Sequence, residues 1–160
     1  MTQEDKELLL KDLCARLPYE TRVRYTYAFA GAACINEYSD EGTLSYNKLQ
    51  DFSLPNVGYE RRRVVCILPY LRPLASMTGE EKEELLNLLF DKEAKYFYID
   101  KEGFIDGKIS DLMKEGINYP SFCPINIELY TDFLLSHHFD YRGLIEKGLA
   151  IEAPEGMYEY

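Results

Sequence analysis

Apolar and polar residues alternate with a period that changes along the chain, and each change marks a different predicted element. Near the N-terminus, apolar residues recur at helical spacing until Pro18: Leu9, Leu10, Leu13, Cys14 and Leu17. Thr2 and Asp5 have the spacing of a capping box. The pattern therefore predicts an amphipathic helix that begins after Thr2 and ends before Pro18.

The next segment has the period of two that is typical of a half-buried strand. Large apolar residues occupy the odd positions of residues 23–29, whereas Arg22 and Arg24 lie at even positions. The arginines should then face away from the core. Further strands are predicted at residues 32–38, 44–49 and 64–68, with a turn at 39–42 and a loop at 53–58. These strands predict a small, curled antiparallel sheet.

The second half of the chain has a mixed pattern. Two prolines in residues 69–74 predict a connecting strap. Thr78 and Glu81 have capping-box spacing before an apolar run, which predicts a helix ending near Asp91. A hairpin at residues 96–105 is predicted, in which Gly103 supplies a positive φ.

The remaining predicted elements are less regular. They are a short helix at residues 108–114, a helix marked by the apolar run from Ile127 to His137 with Pro124 in its first turn, and a frayed acidic tail at residues 152–160. Together the elements predict an α+β fold, with an N-terminal helix on a twisted sheet followed by a helix and hairpin half. The length fits one domain over residues 1–160, with possible sub-modules at residues 1–75 and 76–160.

Charge and cysteine usage narrow the functional classes. The net charge of −10 disfavours general binding to nucleic acid, although residues 18–75 carry seven basic and six acidic residues. The four cysteines form no CxxC pair, so buried thiols are expected rather than a disulfide or a metal site. No secretory signal or membrane-spanning run is visible, and a cytoplasmic protein without a cofactor is predicted.

Three stretches of the sequence are specific enough to suggest relatives. They are residues 69–74 with residues 76–78, residues 134–150 with the words HHFDYRGLIEKGLA, and residues 153–158. These words resemble a family of short proteins from anaerobic gut bacteria and their phages and mobile elements, a family without an assigned activity. The resemblance implies an intracellular accessory protein and supplies no catalytic residues.

The densest group of chemically versatile residues contains His137, His138, Asp140 and Arg142. One hypothesis makes a histidine a general base oriented by Asp140, with Arg142 binding an anionic substrate. The alternative is structural: the helix ends near His138, Asp140 caps the turn that follows, Arg142 forms an internal salt bridge and Gly148 ends the turn in left-handed geometry. The missing nucleophile favours the structural alternative.

A second candidate site is the basic face of the sheet, formed by Arg22, Arg24, Arg61 and Arg63. These side chains could bind a protein or, as an alternative, stack on RNA bases and contact phosphates. The acidity, the many tyrosines and the missing active-site motifs favour a non-enzymatic protein-interaction module. The partner and the oligomeric state do not follow from the sequence.

Overall fold

The computed structural model describes residues 1–30, 35–53, 63–101, 103–108, 111, 114 and 126–158. Their helices are α1 (Gln3–Arg16), α2 (Tyr46–Ser53), α3 (Gly79–Phe90) and α4 (Ile127–Ser136). Their strands are β1 (Arg22–Ala30), β2 (Ile35–Thr43), β3 (Arg63–Leu71), β4 (Phe97–Ile99), β5 (Ile105–Gly107) and β6 (Ile151–Glu152). The predicted α+β class is confirmed.

The chain forms two compact units. The first contains Met1–Arg72 together with Arg142–Tyr160, and the second contains Pro73–Tyr141. Each unit has its own cluster of buried apolar side chains. None of the helices in the described part of the chain combines the length and the apolar character that a membrane span requires.

Helix α1 begins as predicted, with reciprocal hydrogen bonds between Thr2 and Asp5. Its buried face differs from the predicted stripe, because the buried residues are Leu9, Asp12, Leu13 and Arg16. These positions follow the spacing i, i+3, i+4 and i+7 of one helix face. Cys14 lies one residue outside this face and is exposed, so the prediction that it is a buried thiol is wrong.

The main sheet has the strand order β2-β1-β3-β6. Strand β1 is antiparallel to β2 and β3, whereas β6 runs parallel to β3, so the sheet is mixed rather than wholly antiparallel. Val23, Tyr25 and Tyr27 are buried, as their alternation predicts. They pack with side chains of α1 and α2, which places both helices on one face of the sheet.

Two predictions in the N-terminal half are wrong. Residues 39–42 form part of β2 and pair with β1 up to the Val23–Gly42 position, instead of forming a turn. Residues 46–49 belong to helix α2 instead of a strand, because Leu49 and Phe52 are buried one helical turn apart. The first residues of the predicted strand at 32–38 and most of the loop at 53–58 lie outside the described residues.

Strand β3 is longer than the sequence pattern indicates. It includes Pro69 and Tyr70, so the predicted strap begins as a strand, and a single 3-10 turn follows at Leu74–Ser76. The predicted frayed tail is also wrong, because Ile151–Glu152 forms β6 and the Ala153 amide donates to the Leu71 carbonyl at 2.8 Å. The C-terminal segment is therefore hydrogen-bonded to the end of β3.

The second unit follows its predicted elements closely. Helix α3 has the predicted capping box between Thr78 and Glu81, and it ends at Phe90. Strands β4 and β5 form the predicted hairpin, with Gly103 at a φ of 89°. Helix α4 starts at Ile127 after the N-cap Asn126, whereas Pro124 and most of residues 108–114 lie outside the described residues.

Candidate functional site

The backbone at the end of α4 explains much of the histidine-rich segment. The amide of Phe139 donates to the Leu134 carbonyl at 2.8 Å, and the amide of His138 donates to the Leu135 carbonyl at 3.1 Å. These two bonds define a Schellman motif, in which the residue after the helix adopts left-handed geometry. His138 is that residue, with a φ of 61°. Phe139 and Leu134 are both fully buried in one apolar cluster, as the motif favours.

The same motif recurs ten residues later in the first unit. Leu149 donates to Leu144 at 2.8 Å and Gly148 donates to Ile145 at 3.0 Å. Gly148 has a φ of 67°, so the predicted left-handed termination is confirmed, although the preceding segment forms turns rather than a regular helix. Each motif thus consists of a leucine, a left-handed residue four positions later and a buried apolar residue directly after it.

His137 is bound to the helix that precedes it. Its Nδ1 lies 3.0 Å from the Phe133 carbonyl oxygen, and its ring stacks on the Phe133 ring with centroids 4.0 Å apart. A carbonyl oxygen can only accept, so this contact favours the tautomer with the proton on Nδ1. The imidazole therefore packs on the last turn of α4 and contacts a carbonyl oxygen of the same helix.

Arg142 contacts a buried carboxylate in helix α1. Its Nε lies 3.2 Å from Asp12 Oδ1, and the Arg16 Nε donates to Asp12 Oδ2 at 2.6 Å. The Asp12 and Arg16 side chains are completely buried, and Arg142 is 20% exposed. This internal salt bridge is the structural alternative predicted for Arg142, and it ties the C-terminal segment to the first helix.

The predicted catalytic group is divided between the two units. His137, His138 and Asp140 belong to the second unit, whereas Arg142 belongs to the first. Asp140 is buried, with 8% of its surface exposed. Local packing and capping thus account for His137, His138 and Arg142, while the catalytic hypothesis stays a prediction.

The outward face of the sheet carries the predicted arginines of β1. Arg22 is exposed and Arg24 is partly exposed, on the side opposite the buried Val23 and Tyr25. The face continues across the ladder, since Thr26 pairs with Ser39 on β2 and with Cys66 on β3. Arg63 lies opposite Ala28 in the ladder, whereas Arg61 lies outside the described residues.

Arg24 is the centre of a polar cluster that spans three strands. Its Nη2 donates to the Tyr70 hydroxyl at 2.7 Å and to Glu41 Oε1 at 3.2 Å. The Tyr70 hydroxyl also donates to Glu41, and the guanidinium carbon lies 5.6 Å from the centre of the Tyr70 ring. We call Arg24, Glu41 and Tyr70 the outward cluster.

The contacts within the outward cluster change the acidity of its members. Hydrogen bonds from Tyr70 and then from Arg24 lower the pKa of Glu41 below its usual value. Burial, followed by the bond to Glu41, raises the pKa of Tyr70. The Glu41 carboxylate is the main cause of the raised pKa of Arg24. Glu41 and Arg24 are thus held in their charged forms at neutral pH.

Tyr158 supports this cluster from the C-terminal segment. Its hydroxyl donates to the Tyr70 carbonyl at 3.0 Å and accepts from the Arg22 amide at 2.9 Å. The hydroxyl therefore bridges the backbones of β1 and β3 just beyond the Val23–Pro69 pair of their ladder. The bridge holds the ends of the two strands that carry Arg24 and Tyr70.

Sequence reasoning missed Glu41, Tyr70 and Tyr158 as parts of this site. Their contacts with Arg22 and Arg24 join residues up to 136 positions apart, and a local pattern carries no record of such pairings. One available signal was the alternation in β1. It places the Arg24 side chain on the outward face, beside the outward-facing residues of the two neighbouring strands. Because residues 39–42 are predicted as a turn, the predicted sheet does not include Glu41, which in the structure pairs with Arg24.

Cysteine and metal chemistry add little to these sites. Cys14 is exposed and Cys66 is partly buried, whereas Cys34 and Cys123 lie outside the described residues. Across the described ranges, no three His, Cys, Asp or Glu side chains group closely enough to hold a metal ion.

Comparison of the chain with protein-family models, curated proteins and solved structures gave no match.

Proposed function

We propose that the protein is a non-enzymatic protein-interaction module, an accessory factor of a phage or mobile element, that binds an acidic surface of another protein. The contact surface is the outward face of the sheet around Arg22 and Arg24. One observation carries the proposal: Arg24 is held in a fixed position by Tyr70 and Glu41 while 42% of its side chain stays exposed.

Pre-positioning of Arg24 favours binding for an entropic reason. A free arginine side chain loses on the order of 1 kcal/mol of rotamer entropy when a partner immobilises it. The hydrogen bonds to Tyr70 and Glu41 restrict the Arg24 side chain before any partner arrives. An arginine that is already restrained and still accessible is typical of the residues that dominate binding energy at protein interfaces.

The chemistry of the face favours a protein over a nucleic acid. Sheets that bind single-stranded RNA present exposed aromatic rings for base stacking. In the described part of this face the aromatic ring beside Arg24 is that of Tyr70, which is only 4% exposed.

The proposal is tested by comparative affinity purification from the native host, followed by quantitative mass spectrometry. The test variant is Arg22→Glu with Arg24→Glu, and the control is Lys11→Glu with Lys147→Glu, two exposed lysines of the same unit with the same total change in charge. We expect a partner that the wild type and the control retain and the test variant loses. If each variant retains the same proteins, this face is not the interaction surface.

The charge reversal must not act by unfolding the protein. The melting temperature of both variants is therefore measured beside the capture. If the double variant unfolds, Arg22→Glu alone is used, because Arg22 is exposed and its side chain lies outside the outward cluster. The single variant should reduce capture of the same partner, and unchanged capture would contradict the proposal.

A further inference from the structure

The second unit contains a pocket of about 440 Å³ between helix α3 and the β4–β5 hairpin. Apolar side chains line part of it, among them Leu86 of α3 and Phe97 and Ile99 of β4. Three lysines, Lys82, Lys95 and Lys108, also line it. The volume lies within the usual range for pockets that bind small molecules.

Uncharged oxygens hold two of these lysines in place. The Lys82 ammonium donates to the carbonyl oxygens of Asp100 at 2.9 Å and Ile99 at 3.4 Å. The Lys108 ammonium donates to the Lys95 carbonyl at 3.0 Å. A backbone carbonyl orients an ammonium without cancelling its formal charge, and each ammonium has three N–H donors. Both lysines therefore keep positive charge at the pocket.

The remaining charges at the pocket leave an excess of positive charge. Glu83 is the acidic side chain in its lining, against three lysines. Gly79, the first residue of α3, also lines the pocket. This electropositive site belongs to a chain whose net charge is −10.

We propose that this pocket binds a small organic anion with an apolar body, and that the anionic group is a carboxylate or a phosphate. The apolar part packs on Leu86, Phe97 and Ile99. The anionic group is bound by one of the two lysines, either Lys82 beside Ile99 and Asp100 or Lys108 beside Lys95. This site is separate from the outward cluster, because every residue that lines it belongs to the second unit.

The charge requirement is tested with two fluorescent probes that share an aromatic body. Anilinonaphthalene sulfonate carries a negative charge and phenylnaphthylamine does not. We expect the charged probe to bind the folded protein about tenfold more tightly, the effect expected of one charge-assisted hydrogen bond. Equal affinity for the two probes, or binding of neither, would overturn the proposal.

Variants locate the binding site of the charged probe. The double variant Lys82→Gln with Lys108→Gln should bind the sulfonate probe about tenfold more weakly and bind the neutral probe with unchanged affinity. The matched control is Lys11→Gln with Lys114→Gln, since neither lysine lines the pocket and the total change in charge is the same. If the control weakens the sulfonate probe as much as the test variant does, the probe responds to net charge and the proposal is wrong.

A second variant keeps the test decisive if the lysine variant unfolds. Ala94 lines the pocket, and Ala94→Leu should occupy part of its volume and reduce binding of both probes. Unchanged binding of both probes would place their site elsewhere and contradict the proposal.

Competition identifies the anionic group. Octanoate and octyl phosphate are titrated against the bound sulfonate probe, with octanol as the uncharged competitor. Stronger displacement by octanoate indicates a carboxylate ligand, and stronger displacement by octyl phosphate indicates a phosphate ligand. Displacement by octanol as strong as by either anion would contradict the proposal.

Discussion

At the scale of single residues, the least expected feature is the charged side chains on the buried face of α1. Asp12 lies between the guanidinium groups of Arg16 and Arg142, and its side chain is completely buried. Removing a charge from water costs several kcal/mol, and pairing offsets this cost only while every partner remains. The Asp12 carboxylate is therefore the residue on which both arginines depend, Arg16 completely buried and Arg142 mostly buried.

Asp12→Asn should be one of the most damaging single changes in the first unit. It leaves Arg16 and Arg142 without the anionic charge between them, and we expect a loss of about 3–5 kcal/mol in the free energy of unfolding. Chemical denaturation measures the change. The control is Asp111→Asn, which removes an exposed ion pair with Lys114 and should change stability little. Similar small losses in both variants would show that the buried pair is unimportant.

Gly148 tests the left-handed geometry that ends the turn before Leu149. A Cβ at this position would meet no atom within 4 Å, so Gly148→Ala changes only the backbone preference. We expect it to cost about 1 kcal/mol, because alanine is disfavoured at positive φ. Gly79→Ala is the control, since it also meets no atom but begins a helix, and it should not destabilise. In thermal unfolding, Gly148→Ala should lower the melting temperature, whereas Gly79→Ala should not.

Glu41 should contribute to stability in a pH-dependent way. Its pKa is lowered in the folded protein from a value near 4.5, so its contribution is present above that pH and is lost as the pH falls through the folded pKa. The difference in unfolding free energy between wild type and Glu41→Gln should therefore shrink between neutral pH and about pH 3. A difference that stays constant over this range would contradict the assigned contacts.

At the scale of elements, the C-terminal segment completes the main sheet. Strand β6 pairs with Tyr70 and Leu71 of β3, and the Tyr158 hydroxyl bridges the backbones of Arg22 and Tyr70. A segment whose sequence resembles a frayed tail is thus part of the folded unit. Its removal would leave backbone groups at the ends of two strands without these bonds.

Tyr158→Phe isolates the contribution of this bridge. The change removes one hydroxyl and both of its hydrogen bonds to the backbone, and we expect a loss of about 1–3 kcal/mol in the free energy of unfolding. Tyr46→Phe is the matched control, because Tyr46 is 66% exposed on α2 of the same unit. Equilibrium denaturation of the two variants should separate them clearly. Equal stability would mean that the hydroxyl bridge does not hold the strand ends.

The sequence predicts elements well where one local signal is strong. The capping boxes at Thr2 and Thr78, the alternation in β1 and the hairpin at Gly103 all form as predicted. Helix α2 was mistaken for a strand because a short apolar run fits both periods, and only packing on the sheet selects the helix. The acidic C-terminal segment carries no local sequence signal for β6. The strand forms because its backbone pairs with the edge of β3.

In the candidate site, too, local sequence signals predict some features and tertiary contacts determine the others. Alternation in β1 predicts that Arg22 and Arg24 face outward, which the structure confirms. The contacts that fix Arg24 come from β2 and β3, and the sequence does not reveal which residues of those strands pair with it. An internal salt bridge of Arg142 was predicted, but its partner Asp12 was not, because the two residues are 130 positions apart in the sequence.

At the scale of the whole molecule, the two units carry different chemistry. The first presents a sheet with helices on one face and Arg24 fixed on the other. The second contains a lysine-lined pocket. We propose a protein partner for the sheet of the first unit and a small anion for the pocket of the second. Each assignment can fail without the other.

The most direct test of the central claim is site-specific photo-crosslinking in the native host. A benzophenone-bearing amino acid is placed at Ser39, which is exposed opposite Thr26 on the outward face, or at Tyr46, which is exposed on α2. We expect a covalent adduct with a partner protein from position 39 and none from position 46. Adducts from position 46 alone would show that the partner binds the helical side and would contradict the account.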